Sequence, residues 1–523
     1  MAKQHKPFWR FRNIAIMVFF GPLALIVVAI GWAVTRPAGQ AGKYADEIDR
    51  LVQARQPSEG PNGWTMLLEA LDARVAAERE FGAALATAGR FSPGSNMYEA
   101  WWVPSGDKDT DSRNTEERRA DVKAIIEELR AKGVLDKHAA FARTARAVRP
   151  KPEGEVYSVL LPELGMMRQS ARLLGARYAL AAEEGNVDEM IASYEQLIAI
   201  AKVAKAQFTL IDHLVGIAIE SLANERVREM MMLHPLEGEK GTRLAKAILA
   251  VMDREQALMA RVDHAFAGER LSVLDAVEWT HTDDGSGGGV LIVTMVDLVA
   301  NGTGGATSMS SLRQISGALA GLAFRGKAGT VERVNMMMEK TIATSRLPRV
   351  SREMVSIEDT MMLSLTWRDR LLSTLLPALG RSLKSQDQTD LTRLGLRTML
   401  ALELFRIREG HYPARLEELV GRDLPMLAED PIAGGLLRYK LLGSGVVDPS
   451  EWSIPTDQKQ RPDTRGYLLY SVGDDGVDNG GLVRSGNGNF DAINGRGKPR
   501  AQGVDYQINL RVDGSRRGAA WRK

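Results

Sequence analysis

A short acidic stretch near the end of the 523-residue chain contains the residues best suited to bind a cation. It reads YSVGDDGVDNGG, residues 470–481, and places Asp474, Asp475, Asp478 and Asn479 between glycines, directly after the strand-like run GYLLY. Glycines let a loop turn carboxylate and backbone oxygens toward one point, as Ca²⁺ coordination requires. Asp-Gly pairs also form solvated turns that bind no ion. The stretch therefore predicts either a cation site or a turn, and it lacks the closing glutamate of an EF-hand loop.

A second group of polar residues, His281 with Asp283 and Asp284, precedes the glycine-rich run GSGGG. These side chains could bind a metal or transfer protons, although residues of this kind beside glycines also form turns. The seven histidines of the chain show no paired metal-binding spacing such as H-E-x-x-H. Residues 281–308 are therefore an open candidate for an enzyme site.

Two enzyme motifs are incomplete in this sequence. GLAFRGKAG, residues 321–329, nearly matches the phosphate-binding loop G-x-x-x-x-G-K-[ST], but Ala328 stands where a hydroxyl should reach magnesium. The residues before it favour a helix, whereas a phosphate-binding loop follows a strand. No G-x-S-x-G nucleophile elbow is present. Neither nucleotide binding nor serine-hydrolase chemistry is favoured.

The composition excludes several classes of function. The 68 basic and 66 acidic residues leave a net charge of +2, so no strong positive field attracts nucleic acid. The chain has no cysteine, which excludes disulfides, catalytic thiols and thiolate metal sites. We therefore expect no nucleic-acid partner.

The most apolar segment lies at Ile14–Val34 and carries no charged side chain. It matches the ~20 residues that a helix needs to cross a bilayer. Four basic residues and no acidic residue precede it, which predicts that residues 1–13 stay in the cytoplasm. The prediction is a single-pass protein of the cell inner membrane, with the bulk of the chain on the extracytoplasmic side. The alternative is a cleaved signal peptide, for which this apolar run is long.

Helical periodicity dominates residues 35–385, which we predict to be an exported, repeat-like α-helical region. A Gly-Asn pair at residues 185–186 divides its densest part into two antiparallel helices. The pattern of leucine, glycine and tyrosine at residues 174–178 resembles the start of a tetratricopeptide repeat, without a second copy ~34 residues later.

Short β-type runs replace the helical pattern after Gly410. The candidate strands are RYKLL, GYLLYSV and DYQINLRV. A long helix followed by a small antiparallel sheet predicts an α+β module at residues 391–523, with a domain boundary near residues 385–390. The expected fold is mostly α, with a transmembrane helix at the start and this small module at the end.

The motifs of this last module occur in a distinctive order. The helical run LELFRIREG leads into HYP at residues 411–413, then into Asp430-Pro431, then into SVGDDG, and finally into the glycine-rich GNGNFDAING. This order resembles the globular end of the major pseudopilin of bacterial type II secretion systems. The resemblance covers about a quarter of the chain and implies a pseudopilin-like α+β fold for it.

The resemblance also implies an answer for the acidic stretch, because the corresponding loop of major pseudopilins holds a structural calcium ion. It implies Asp475, Asp478 and Asp491 as the carboxylate ligands in this chain, with Ser471 and Asn479 as further ligands. Calcium is therefore the expected cofactor, and a solvated turn remains the alternative.

Taken together, these patterns predict a membrane-anchored envelope protein that acts as a non-enzymatic scaffold or interaction protein with a calcium-binding tail. The absence of a complete catalytic motif favours this interpretation. The alternatives are an exported enzyme with a site near residues 281–308 and an accessory subunit of a secretion system. The expected partners are the membrane, through one helix, and proteins of the envelope.

Overall fold

The computed structural model describes most of the chain after residue 34. The described residues are 27, 28, 31, 35–57, 60–87, 98, 115–144, 146–156, 161–300, 311–347, 349–352, 365–369, 371–372, 379–442, 466–473, 476–478, 480–481 and 506–509.

The described residues form thirteen α-helices, three short 3-10 helices and a small antiparallel sheet. The α-helices are α1 (Ala45–Gln53), α2 (Trp64–Thr87), α3 (Thr115–Ala131), α4 (Val134–Ala142), α5 (Pro162–Glu183), α6 (Val187–Lys205), α7 (Leu210–Leu233), α8 (Gly238–Gln256), α9 (Val262–Thr280), α10 (Val293–Ala300), α11 (Ser311–Gly321), α12 (Lys327–Ser345) and α13 (Leu379–Glu409). The 3-10 helices are Arg349–Ser351, Trp367–Asp369 and Leu416–Leu419. The strands β1 (Arg438–Leu441), β2 (Tyr467–Ser471) and β3 (Tyr506–Gln507) pair in this order, so β2 is central. The protein is therefore mostly helical.

Four consecutive helices, α5 to α8, form a stack in which α6 packs on α5, α7 and α8, and α7 also packs on α5. This pattern of neighbour contacts is typical of helical repeats. Caps define where its helices begin: the Asn186 side chain accepts a hydrogen bond from the Glu189 amide at 3.2 Å, and Thr209 forms a capping box with Asp212. The local sequence therefore determines the helix starts, and apolar faces determine the packing.

Two glycines permit the close approach of helices in this stack. A Cβ atom on Gly216 of α7 would lie 2.6 Å from Cγ of Lys205 and 2.8 Å from the carbonyl oxygen of Ala201 in α6. A Cβ atom on Gly175 of α5 would lie 2.9 Å from Cδ2 of Leu222 in α7. Only a residue without a side chain fits at Gly216 without displacing its neighbours.

The last long helix, α13, packs against α7 and α8 and carries the same core into the sheet. Leu71 of α2, Leu400 of α13 and Leu469 of β2 belong to one cluster of buried apolar side chains. The domain boundary predicted at residues 385–390 lies inside α13, which is uninterrupted there. The division of the chain into an exported helical region and a separate C-terminal module stays a prediction.

A buried ion network joins α6, α7 and α13. The Lys205 ammonium donates to the Glu220 carboxylate, and both side chains are 1% exposed. Arg393 lies 3.3 Å from the other Glu220 oxygen and also donates to Asp390 at 2.7 Å. Because breaking a buried pair leaves an uncompensated charge, this network holds the three helices in one arrangement.

A second apolar core lies between α9 and α12, with contributions from α10 and the start of α13. It places the end of α9 beside the start of α12. The chain turns between α9 and α10 through the predicted glycine-rich run, where Gly289 has a φ of +153°. A Cβ atom there would lie 1.8 Å from the Thr282 carbonyl oxygen, so this turn requires glycine.

No helix among the described residues is both long enough and apolar enough to cross a membrane. The prediction of a transmembrane helix at Ile14–Val34 is corrected by this finding, together with the single-pass inner-membrane localisation that depended on it. That prediction relied on the length of an uncharged run in the sequence. The long helices of the described residues, α2, α7 and α13, all carry charged residues. Of the predicted span, only residues 27, 28 and 31 are described.

Candidate functional site

A surface groove of about 970 Å³ extends along α12, and we call it the α12 groove. Nine of its thirteen lining residues come from α12, between Lys327 and Ala343. They recur at helical spacing, so they lie on one face of the helix. At 1.5 Å per residue, that face is about 24 Å long. The groove is therefore elongated.

The other wall, at the start of α12, comes from the end of α9 and from residues 35–44, which we call the strap. The strap is fixed by backbone hydrogen bonds, since the Gly39 amide donates to the His281 carbonyl at 2.9 Å and the Asp283 amide donates to the Pro37 carbonyl at 2.8 Å. The Asp275 carboxylate in α9 also accepts from strap amides, including that of Gly42 at 3.1 Å. Burial raises the pKa of Asp275, and these amides oppose the rise.

Four charged side chains meet where the strap, α9, the turn after α9 and α12 come together. Glu278 of α9 accepts from Lys43 of the strap at 2.7 Å through one oxygen and pairs with Lys327 of α12 at 2.5 Å through the other. The Asp283 carboxylate lies 3.8 Å from the Lys327 ammonium. The side chains of Lys327 and Glu278 are 3% and 6% exposed, whereas Lys43 is 54% exposed. This cluster is balanced in charge and closes one end of the groove.

Of the residues predicted for an enzyme site, only Asp283 reaches this cluster. His281 is fully buried, and its Nδ1 lies 2.8 Å from the Val277 carbonyl oxygen. Burial lowers the pKa of His281 to about 4, so the ring is neutral at pH 7. The Asp284 carboxylate accepts from the Gly288 amide at 2.9 Å, which is turn geometry. Within the described part of the chain, no group of three or more histidines and carboxylates could hold a metal.

Lys327 is the residue that sequence reasoning missed. It is the lysine of the near-match to the phosphate-binding loop, and a helix, α11, precedes it where that loop requires a strand. Its ammonium is occupied by Glu278. The helical spacing of the sequence could have indicated that Lys327 is buried, because it shares the buried face of α12 with Val334 and Met338. A lysine at a buried position requires a buried carboxylate.

The middle of the groove is exposed and mixes apolar with charged side chains. Met336 is 54% exposed, and Val331 lies half-buried five residues before it. Glu332, Glu339 and Lys340 are exposed beside them. Lys340 forms no ion pair with another described residue. This surface can therefore offer both apolar contact and charge to a ligand.

Two of the five predicted calcium ligands lie among the described residues. Ser471 is fully buried at the end of β2, where its hydroxyl accepts from the Gly473 amide at 3.2 Å. Asp478 accepts from the Tyr470 hydroxyl at 2.9 Å, and Arg438 lies 3.5 Å from its second oxygen. The remaining predicted ligands, Asp475, Asn479 and Asp491, lie outside the described residues. Calcium binding therefore stays a prediction.

Comparisons with known proteins do not assign this chain to a family. A scan against protein-family models, a search of curated proteins and a search of solved structures each found no match. The resemblance of the C-terminal motifs to major pseudopilins therefore depends on the residues quoted above and stays a prediction. The function has to be argued from the α12 groove itself.

Proposed function

We propose that this protein is a non-enzymatic interaction protein that binds an elongated ligand in the α12 groove. The observation that carries this proposal is the continuous lining of the groove by one side of α12 over about 24 Å, which is partly or fully exposed beyond the buried Lys327. Pockets for compact small molecules bury most of the ligand in a concave cavity, whereas this groove follows a helix. The stack α5–α8 and the helix α13 would serve as the rigid support.

The state of the charged residues also favours binding over catalysis. Glu278 and Lys327 are buried and paired, which joins α9 to α12, and Lys43 joins the strap to the same carboxylate. A general acid or base must instead reach its substrate with a free hydrogen-bonding position. The buried His281 ring is neutral at pH 7 and does not line the groove. These residues support the shape of the groove.

The test is a binding selection with three probe pools: random heptapeptides, oligosaccharides of two to eight sugars, and common metabolites. We expect at least one peptide or oligosaccharide to bind, to protect the α12 amides from hydrogen exchange, and to lose affinity when Met336→Arg fills the groove. Met426→Arg is the matched control, because Met426 is 68% exposed and lies outside the groove. Binding by metabolites alone, or equal losses in both variants, would contradict the proposal.

A further inference from the structure

We infer that the ligand of the α12 groove is an extended peptide segment in which basic side chains alternate with apolar ones. This inference rests on the proposed function and adds the chemical class of the ligand. It is carried by three properties of the groove: its length, the charges that remain exposed along it, and its apolar contacts.

The length of the groove fits a short extended peptide. An extended chain rises by about 3.3 Å per residue, so about seven residues would cover the 24 Å face of α12. A peptide of this length would pass from the closed end, beside Glu278, to Ala343. A helical ligand of seven residues would cover less than half of that distance.

The exposed charges of the groove carry a negative excess. At the closed end, the two ammonium groups of Lys43 and Lys327 are matched by the carboxylates of Glu278 and Asp283. Beyond that end, the exposed lining includes Glu332, Glu339 and Lys340, which leaves one net negative charge.

The two exposed glutamates also have a favourable spacing. Glu332 and Glu339 are seven residues apart, so they lie on the same face of α12 about two turns from each other. Arg325, which is close enough to Glu332 to interact with it, already pairs with Asp369. Basic side chains of a ligand would complement both glutamates.

Apolar side chains lie beside and between these charges. Val331 and Met336 lie beside the two glutamates, and Met336 is 54% exposed. A methionine side chain is flexible and polarisable, so it adapts to apolar side chains of different shapes. Val331 and Glu332 are consecutive, so they project about 100° apart around the axis of α12. An extended peptide directs successive side chains to opposite sides, so an alternating sequence would turn its basic side chains toward the glutamates and its apolar ones toward Val331.

The test compares two fluorescein-labelled heptapeptides by fluorescence anisotropy, one alternating leucine with lysine and one alternating leucine with glutamate. We expect the lysine peptide to bind at least tenfold more tightly. The double variant Glu332→Gln/Glu339→Gln should reduce that preference to less than threefold. The control Glu69→Gln/Glu239→Gln makes the same change in net charge at exposed positions on α2 and α8, and it should keep the preference.

The outcomes separate this inference from the proposed function. Equal binding of the two peptides, or equal effects of the two double variants, would overturn the inference. The proposed function would survive in that case if Met336→Arg still abolished binding. If maltoheptaose protected α12 and neither peptide did, the inference would be overturned and the proposed function would stand. If no probe protected α12, both would fail.

Discussion

Lys327 is a charged side chain that the fold buries almost completely, at 3% exposure. Removing an ammonium group from water costs several kcal/mol, and a close carboxylate offsets this cost only when the geometry is good. Glu278 provides that partner at 2.5 Å, with Asp283 further away at 3.8 Å. The start of α12 therefore depends on one carboxylate.

The variant Glu278→Gln should lower the free energy of unfolding by about 3 to 5 kcal/mol, because it leaves Lys327 buried without its charged partner. Lys43→Ala removes the half-exposed lysine of the same cluster and should cost at most about 1 kcal/mol. Urea unfolding of both variants measures the difference. Equal losses would mean that the buried pair does not stabilise the protein as argued.

Gly216 should tolerate no side chain, because a Cβ atom there would lie 2.6 Å from Lys205 and 2.8 Å from the Ala201 carbonyl oxygen. Overpacking of this kind typically costs about 1 to 3 kcal/mol, so Gly216→Ala should lower the melting temperature. Gly165→Ala is the matched control within α5, since no atom of the described residues lies within 4 Å of a Cβ atom there. That change should stabilise the protein by about 0.5 to 1 kcal/mol. The same sign for both variants would contradict the close packing of α6 and α7.

The buried His281 should make stability depend on pH. Its pKa is lowered to about 4 in the folded protein, whereas an unfolded histidine has a pKa of about 6.5. Between these values the unfolded chain binds the proton, so the contribution of His281 is complete above pH 6.5 and is lost as the pH falls toward 4. The free energy of unfolding of the wild type, minus that of His281→Gln, should therefore fall by about 1.4 kcal/mol for each unit by which the pH is lowered within this window. Parallel stability curves from pH 4 to 7 would show that the ring is not the group involved.

At the scale of helices and strands, the sequence predicts an element correctly where residues within one short segment determine it. Gly185 has a φ of +64° and Asn186 caps α6, so the predicted break between α5 and α6 has a local cause. The three strands lie within the predicted strand-like runs, and Leu469 of β2 and Ile508 beside β3 join the same apolar core as α13.

Partners distant in sequence could not be predicted in this way. Glu278 and Lys327 pair across 49 positions, and a helical pattern indicates that a position is buried without naming its partner. The strap is short and has no periodic pattern, so only the structure shows that it docks on α9 and forms a wall of the groove. The α12 groove was therefore not predicted from the sequence, since Gly287 is its one lining residue within residues 281–308.

The acidic loop after β2 is an element whose cofactor can be tested directly. If calcium binds there, the melting temperature should be higher in millimolar calcium than in chelator, since a ligand at a hundredfold excess over Kd stabilises by about 2.7 kcal/mol. Asp475→Ala should remove most of that difference. Asp188→Ala is the control, because its side chain is 74% exposed on α6 and far from the loop in sequence. Identical melting in calcium and chelator would favour the solvated turn, in which Arg438 already accompanies Asp478.

At the scale of the whole molecule, one apolar core extends from α2 through the helical stack to the sheet. The C-terminal residues take part in it directly, since Leu396 and Leu400 of α13 are fully buried in that core. Arg228 of α7 also donates to the Ile508 carbonyl at 3.4 Å, beside β3. The sheet is therefore packed onto the helices that precede α13 as well as onto α13.

This continuity predicts how fragments of the protein will behave. Residues 391–523 expressed alone should lack cooperative unfolding, because the face of α13 that packs on α7 and α8 would be exposed to water, and Arg393 would lose Glu220. Residues 35–378 and 379–523 expressed together should instead associate and recover a sigmoidal melting curve, since the cut lies just before α13 and leaves the whole helix on one fragment. Circular dichroism of each fragment and of the mixture measures both effects. Two results together would contradict this prediction: a sharp melting transition for residues 391–523 alone, and a protease-resistant fragment released by cleavage near residues 385–390 of the full chain. They would show that the C-terminal module is an independent domain and that its contacts with α7 contribute little to its stability.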